Sequence, residues 1–267
     1  DLVKNNPLLT TAFAPHSPYT VTDHGFERTL LYAEELQLPI HLHLHETLTE
    51  VKDAVRQHGQ RPIARMHSLG LLSPLLQTVH MTQLEAGEIT LLANNNVHVA
   101  HCPESNLKLA SGFCPVGDLI KAGINVAIGT DGAASNNNLD MLEEMRTAAI
   151  VAKSVSQDAT VVSAHEALAM ATINGALMLG LEDKIGSLEA GKLADFIAVD
   201  LSDLSFAPIY NPVSQMVYAA TAHQVSHVWI NGVQLLANGQ FTQLDSQRVR
   251  ANTRQWQSKI SAFSRPI

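Results

Sequence analysis

Five short apolar runs in the first half of this chain each end in a side chain that can bind a metal or move a proton. The runs Leu9–Ala14, Pro39–His45, Leu76–Met81, Val97–His101 and Ile124–Gly129 end at or just before His16, His43 with His45, His80, His101 and Asp131. Amphipathic stretches alternate with them. Phe26–Gln37, Glu50–His58, Gln83–Asn94, Val116–Lys121, Met141–Lys153 and His165–Leu179 all carry helical patterns. Strands alternating with helices predict βα units and a parallel sheet. Polar residues recurring at the C-terminal ends of parallel strands are the pattern of an α/β barrel active site.

The character changes near Gly186. Gly186–Lys192 is rich in turn residues and Asp195–Val199 is a β run. His227–Ile230 and Val233–Leu236 predict a hairpin across Asn231-Gly232. The expected organisation is therefore an α/β chain. Residues 1–185 read as an α/β barrel region, 186–245 as a small β module packed on it, and 246–267 as a C-terminal helix, with the helical pattern running over Asp245–Ser264.

Composition excludes several function classes. Hydrophobic residues make up 46% of 267 residues, enough for a core. Net charge is −8 with no basic patch, which argues against a nucleic-acid surface. No apolar run reaches membrane-span length. Two cysteines, Cys102 and Cys114, exclude a disulfide framework and favour a reducing, cytoplasmic setting. The expected partner is a small molecule.

The chemistry concentrates in a few segments. In His41-Leu-His43-Leu-His45-Glu46, residues two apart share a strand face, so all three histidines can point one way. Neutral imidazole suits zinc or iron. In Gly129-Thr-Asp131-Gly-Ala-Ala, an aspartate among small residues can ligate a metal and carry a proton. Asp131 could instead cap a helix, but Asp140 is a closer cap for the helix at Met141. His80 ends Thr78-Val-His80, and two prolines rigidify the loop presenting His16. In His101-Cys-Pro-Glu-Ser-Asn106-Leu-Lys, His101 and Asn106 are candidates to line or support the pocket.

The order APHSPYT, HLHLHET, VHMT, HCPESNLKLASG and VAIGTDGAASNN resembles the amidohydrolase superfamily, and more narrowly its 5-methylthioadenosine/S-adenosylhomocysteine deaminases. GSLEAGKLADFIAVD is similar to their β-sandwich domain. The resemblance implies a metal-dependent hydrolase, with part of a TIM-like (β/α)8 barrel over 1–185 and part of a small β-sandwich over 186–245, that deaminates an adenosine derivative to the inosine derivative and ammonia. It implies one Zn2+ per subunit, with Fe2+ as alternative, and a homo-oligomer. By position, His43 resembles the fifth-strand metal ligand and Asp131 the eighth-strand ligand and general base. Glu46, three residues after His43, resembles the glutamate that contacts the purine and passes it a proton. His80 resembles the histidine that orients the hydroxide, and His16 the fourth-strand histidine that contacts substrate. Choosing His43 over His41 and His45 follows the family's H-x-x-E spacing.

One departure stands out. The superfamily draws two metal ligands from a His-x-His on its first barrel strand. Reading HLHLH as that motif leaves too few strands for a barrel. Reading it as strand five gives strands four to eight, and five strands cannot close the barrel. The expectation is thus a C-terminal portion of a longer protein, with two further histidine ligands upstream of Asp1. The alternatives are another aminohydrolase or a chlorohydrolase, acting on guanine, an oxidised purine or a triazine, or an inactive fragment lacking the His-x-His ligands.

Overall fold

The computed structural model describes residue 6 and residues 8–263. Residues 1–5, at the start of the expected barrel region, and Ser264, at the end of the expected terminal helix, lie outside these. In chain order the first half runs α1 (Asp23–Leu36), β1 (Ile40–Leu44), α2 (Leu48–His58), α3 (Pro62–Ser68), β2 (Leu76–His80), α4 (Ala86–Asn94), β3 (His98–His101), α5 (Pro103–Lys108), α6 (Val116–Lys121) and β4 (Val126–Ile128). Then follow α7 (Ala133–Asn136), α8 (Met141–Ser156), α9 (Ala164–Met170), α10 (Ile173–Met178), β5 (Phe196–Val199), α11 (Pro212–Tyr218), β6 (Val225–Ile230), β7 (Val233–Ala237), β8 (Gln240–Phe241) and α12 (Ser246–Phe263).

Strands β1 to β4 lie side by side in sequence order, all parallel. This is the βα alternation expected from the sequence, present as an open sheet rather than a closed barrel among the described residues. The two faces of the sheet differ in chemistry. Ile40, Leu42, Leu44, Leu76, Val99 and Val126 are fully buried in the main core with Phe26, Met66, Leu92, Leu119 and Met145 from the helices. The opposite face carries His41 and His43 on β1, then Gln77 and Val79 beside them on β2. Helices cover the apolar face, so hydrophobic burial fixes the register and leaves the histidine face for chemistry. Leu42→Ala is expected to lower the unfolding free energy of the protein by about 2–5 kcal/mol, read by denaturant titration.

Helix starts follow capping. Thr22, Thr47, Asp140 and Ser163 accept backbone N–H groups at the N-termini of α1, α2, α8 and α9. Pro62, Pro103 and Pro212 occupy first-turn positions of α3, α5 and α11, where a missing N–H costs nothing.

Four expectations need correction. Leu9–Ala14 is not a strand: only Phe13 forms a bridge, to Ile40. Leu8 and Leu9 are exposed and only Phe13 packs, stacking near Tyr32, so the run lacks a surface on its second side. The helix expected over His165–Leu179 is broken into α9 and α10. Thr172 leaves helical geometry (φ −135°, ψ −94°), and the break lets Asn174 donate to the Val126 carbonyl of β4 while accepting from Asn125. The helix expected from Gln83 begins at Ala86, where Glu85 and Glu88 form a reciprocal cap. Within 186–245, α11 interrupts the β run; its Val217 is fully buried in the main core with Met145 of α8 and Ala167 of α9.

Strands β5 to β8 make an antiparallel sheet. The β6–β7 hairpin turns at Asn231 and Gly232, both with left-handed φ (49° and 76°), as the Asn-Gly signal predicts. Phe196 of β5 and Trp229 of β6, paired across those two strands, stack at 4.6 Å. Among the described residues no helix is long and apolar enough to cross a membrane.

Candidate active site

Backbone direction at the strand ends decides which side chains meet. His41 and His43 follow the β1 alternation and share one face, their rings 6.3 Å apart. His45 does not join them, which corrects the expectation of three histidines pointing one way. Its φ is +53°, a conformation uncommon for non-glycine residues. The ring turns into a buried niche, where Nδ1–H donates to the Gln83 carbonyl and Nε2 accepts from Ile63 N–H. Burial pushes its pKa down to about 4.

His80 shows the converse. Period-two alternation places it with Leu76 and Thr78 on the helix side. Its φ of +77° swings the ring back to stack on His43, centroids 5.5 Å apart. Asp131 also has a positive φ, +60°. Left-handed backbone at several strand ends is local strain of the kind that collects at functional sites.

The group around His80 is compact. His16 lies 5.0 Å from His43, ring to ring, and its carbonyl accepts Nδ1–H of His43 at 2.7 Å. Glu46 Oε2 is 3.9 Å from His80 Nε2. His80 Nδ1–H donates to Asn106 Oδ1 at 2.8 Å. Burial pushes the His80 pKa down, against the pull of Glu46, the Asn106 bond and Asp131. Ser105 and Ser135 hydroxyls each donate to Asp131 Oδ2 at 2.7 Å. Burial raises the Asp131 pKa, but these two bonds and the Gly132 N–H more than offset it, so the group stays a carboxylate.

Glu46 is held from both sides through its backbone. The buried Glu50 carboxylate accepts the N–H groups of His45 (3.0 Å) and Glu46 (2.7 Å), and Thr82 Oγ1 donates to the Glu46 carbonyl at 2.6 Å. Nothing in the sequence singles out Thr82. Glu50 does carry a signal: Thr47 and Glu50 have the T-x-x-E capping spacing. His101 is fully buried, its pKa pushed down to about 3, and its Nδ1 has no hydrogen-bond partner among the described residues. A cavity of about 300 Å³ opens beside Glu46, lined also by Tyr19, Thr47 and Gln57. His43, His80 and Asp131 do not line it, so it adjoins the histidine cluster rather than containing it.

The donor types present suit a divalent metal. His43 uses Nδ1 on a carbonyl and so presents a bare Nε2, and both serines take the same oxygen of Asp131. Among the described residues no three His, Cys, Asp or Glu side chains converge as a complete metal site. His43 Nε2 and the second carboxylate oxygen of Asp131 have the donor chemistry of metal ligands.

A sheet of parallel strands with imidazoles and carboxylates gathered at its C-terminal edge is the arrangement in which α/β barrel enzymes carry their active sites. The chain belongs to the amidohydrolase family, which it matches over residues 2–235. It is 52% identical over 262 residues to the 5-methylthioadenosine/S-adenosylhomocysteine deaminase of Teredinibacter turnerae, covering 98% of this chain and 59% of that protein. The enzyme of the same name from Moorella thermoacetica is 49% identical, covering 91% and 57%. Among solved structures, an adenosine deaminase from Xanthomonas campestris with bound zinc superposes with a TM-score of 0.96 at 53% identity, covering 98% of this chain and 60% of that one. A zinc complex of atrazine chlorohydrolase from Arthrobacter aurescens gives 0.84 at 28% identity, over 90% and 53%. The chain thus spans about three-fifths of the length of the curated relatives it matches.

Proposed function

We propose that the protein hydrolyses the C6 amino group of an adenosine derivative, 5-methylthioadenosine or S-adenosylhomocysteine, yielding the inosine derivative and ammonia. The observation that carries this reading is geometric: Glu46 Oε2 lies 3.9 Å from His80 Nε2, and the adjacent residues Asn106 and Ser105 tie His80 and the Asp131 carboxylate into the same group. Deamination of a purine needs such a division of labour, one group for the ring nitrogen and another for water and leaving amine. The names carried by relatives about 50% identical support the substrate class.

His43 through Nε2 and Asp131 are the residues assigned to a zinc ion, and they supply two donors of a four- or five-coordinate set. When bound, zinc supplies Lewis acidity and brings the ionisation of water toward neutral pH. The chain's own residues do the proton work. Asp131 accepts one proton from water and later returns it to the departing amine. Glu46 donates a proton to the ring nitrogen, making C6 electrophilic, and recovers one from the new C6 hydroxyl as the carbonyl forms. His80, bare at Nε2, orients the attacking oxygen. His16 contacts the substrate.

The test is ammonia release by the intact zinc-loaded protein across methylthioadenosine, S-adenosylhomocysteine, adenosine, guanine and an aminotriazine, with chloride release from a chlorotriazine. Either adenosine thioether is expected to exceed guanine and the triazines by about 100-fold or more in kcat/KM. Preferential turnover of guanine or a triazine would assign the site to another branch of the family.

A further inference from the structure

We propose that Ser105 and Asn106, neighbours on α5, are positioning residues that set Asp131 and His80 as one unit. The inference builds on the deaminase reading but carries its own readout. Both residues are buried, Ser105 fully. Each gives its side chain to a different reacting group: Ser105 Oγ to Asp131 Oδ2 and Asn106 Oδ1 to His80 Nδ1. An oxygen acceptor on Nδ1 selects the Nδ1–H tautomer and leaves Nε2 as a lone pair facing Glu46. The opposite tautomer would present a hydrogen there and could not accept one.

Two further observations separate this from ordinary core packing. Asn106 Nδ2 is buried with no hydrogen-bond partner among the described residues. Among the described residues the Asn106 side chain makes its hydrogen bond through Oδ1, to His80. In addition, α5 is gripped from outside. Glu144 of α8 accepts Glu104 N–H at 3.2 Å and an amide hydrogen of Asn136 on α7, while Thr147 of α8 donates to Glu104 Oε1 at 2.9 Å. Thus α8 anchors α5 to α7, the helix that carries Ser135, the second hydroxyl on Asp131.

The experiment uses the intact zinc-loaded protein labelled with 15N-histidine. In long-range 1H–15N spectra the His80 ring shows the Nδ1–H pattern in wild type. In Asn106→Leu it is expected to move to an Nε2–H or mixed pattern, and kcat to fall about tenfold to 100-fold with KM little changed. Asn106→Asp, which restores an oxygen acceptor, is expected to restore the Nδ1–H pattern. Ser105→Ala is expected to leave that pattern intact while lowering kcat and zinc retention. If Asn106→Leu does not fold, Asn106→Ala makes the same comparison. Retention of the Nδ1–H tautomer in a folded variant lacking the Asn106 oxygen overturns the proposal, as does an unchanged kcat. Should wild type release no ammonia from any adenosine derivative, the deaminase reading fails, while the spectra still decide what Asn106 does to His80.

Discussion

Asp131→Asn is expected to lower deaminase kcat/KM by about a thousandfold or more while the protein stays folded. The substitution is nearly isosteric and keeps one oxygen to accept the Ser105 and Ser135 hydroxyls, now at 2.7 Å from Oδ2. The cost to stability is therefore only about 1 kcal/mol, the scale of a weakened hydrogen bond. The chemistry loses much more. The amide cannot take a proton from water or return one to the amine, worth about 100-fold to 10,000-fold by itself. It is also a poorer metal donor than the carboxylate that Ser105, Ser135 and Gly132 keep ionised. Steady-state rates, metal content and thermal unfolding on one preparation check all three effects. Activity within tenfold of wild type at full zinc content would remove Asp131 from the proton path.

Glu46→Gln is the second large effect: kcat is expected to fall about 100-fold to 10,000-fold with zinc content and melting temperature nearly unchanged. The backbone at this position does not depend on the side chain. Glu50 accepts the Glu46 N–H and Thr82 donates to its carbonyl, so the glutamine stays where the glutamate was. In the proposed mechanism, what is lost is the carboxyl group that passes a proton to the purine, 3.9 Å from His80 Nε2. A loss confined to KM would show that Glu46 binds the purine without moving its proton.

Much of the fold is legible in the chain because hydrophobic burial writes it there. The alternation of Ile40, Leu42 and Leu44 with His41 and His43 predicts a strand with one apolar and one polar face, and the sheet has both. The Asn231-Gly232 turn is local chemistry and forms as expected. The elements that the sequence leaves unmarked depend on distant partners. Phe13 alone bridges to β1 because the rest of its run finds no surface. The break before α10 answers to hydrogen bonds with Asn125 and Val126, nearly fifty residues away. Ser105 and Thr82 lie inside segments that resemble the family, but nothing in the sequence marks their roles, since one hydroxyl looks like any other until its partner is placed.

The sequence by itself determined the βα order, the apolar face of the sheet and the residue types waiting at the strand ends. All of these follow from short-range periodicity and the need to bury Leu, Ile and Val. Only the tertiary structure decided which strand-end side chains meet. His45 and His80 both leave their strands with positive φ, yet one turns into a niche under Ile63 and the other onto His43. Those backbone angles are set with long-range bonds, Met81 N–H to the Leu44 carbonyl and Thr82 N–H to that of His45. Such bonds require β1 and β2 to lie side by side. A rotation about one φ moves an imidazole from one side of the sheet to the other, and no periodicity in the chain records it.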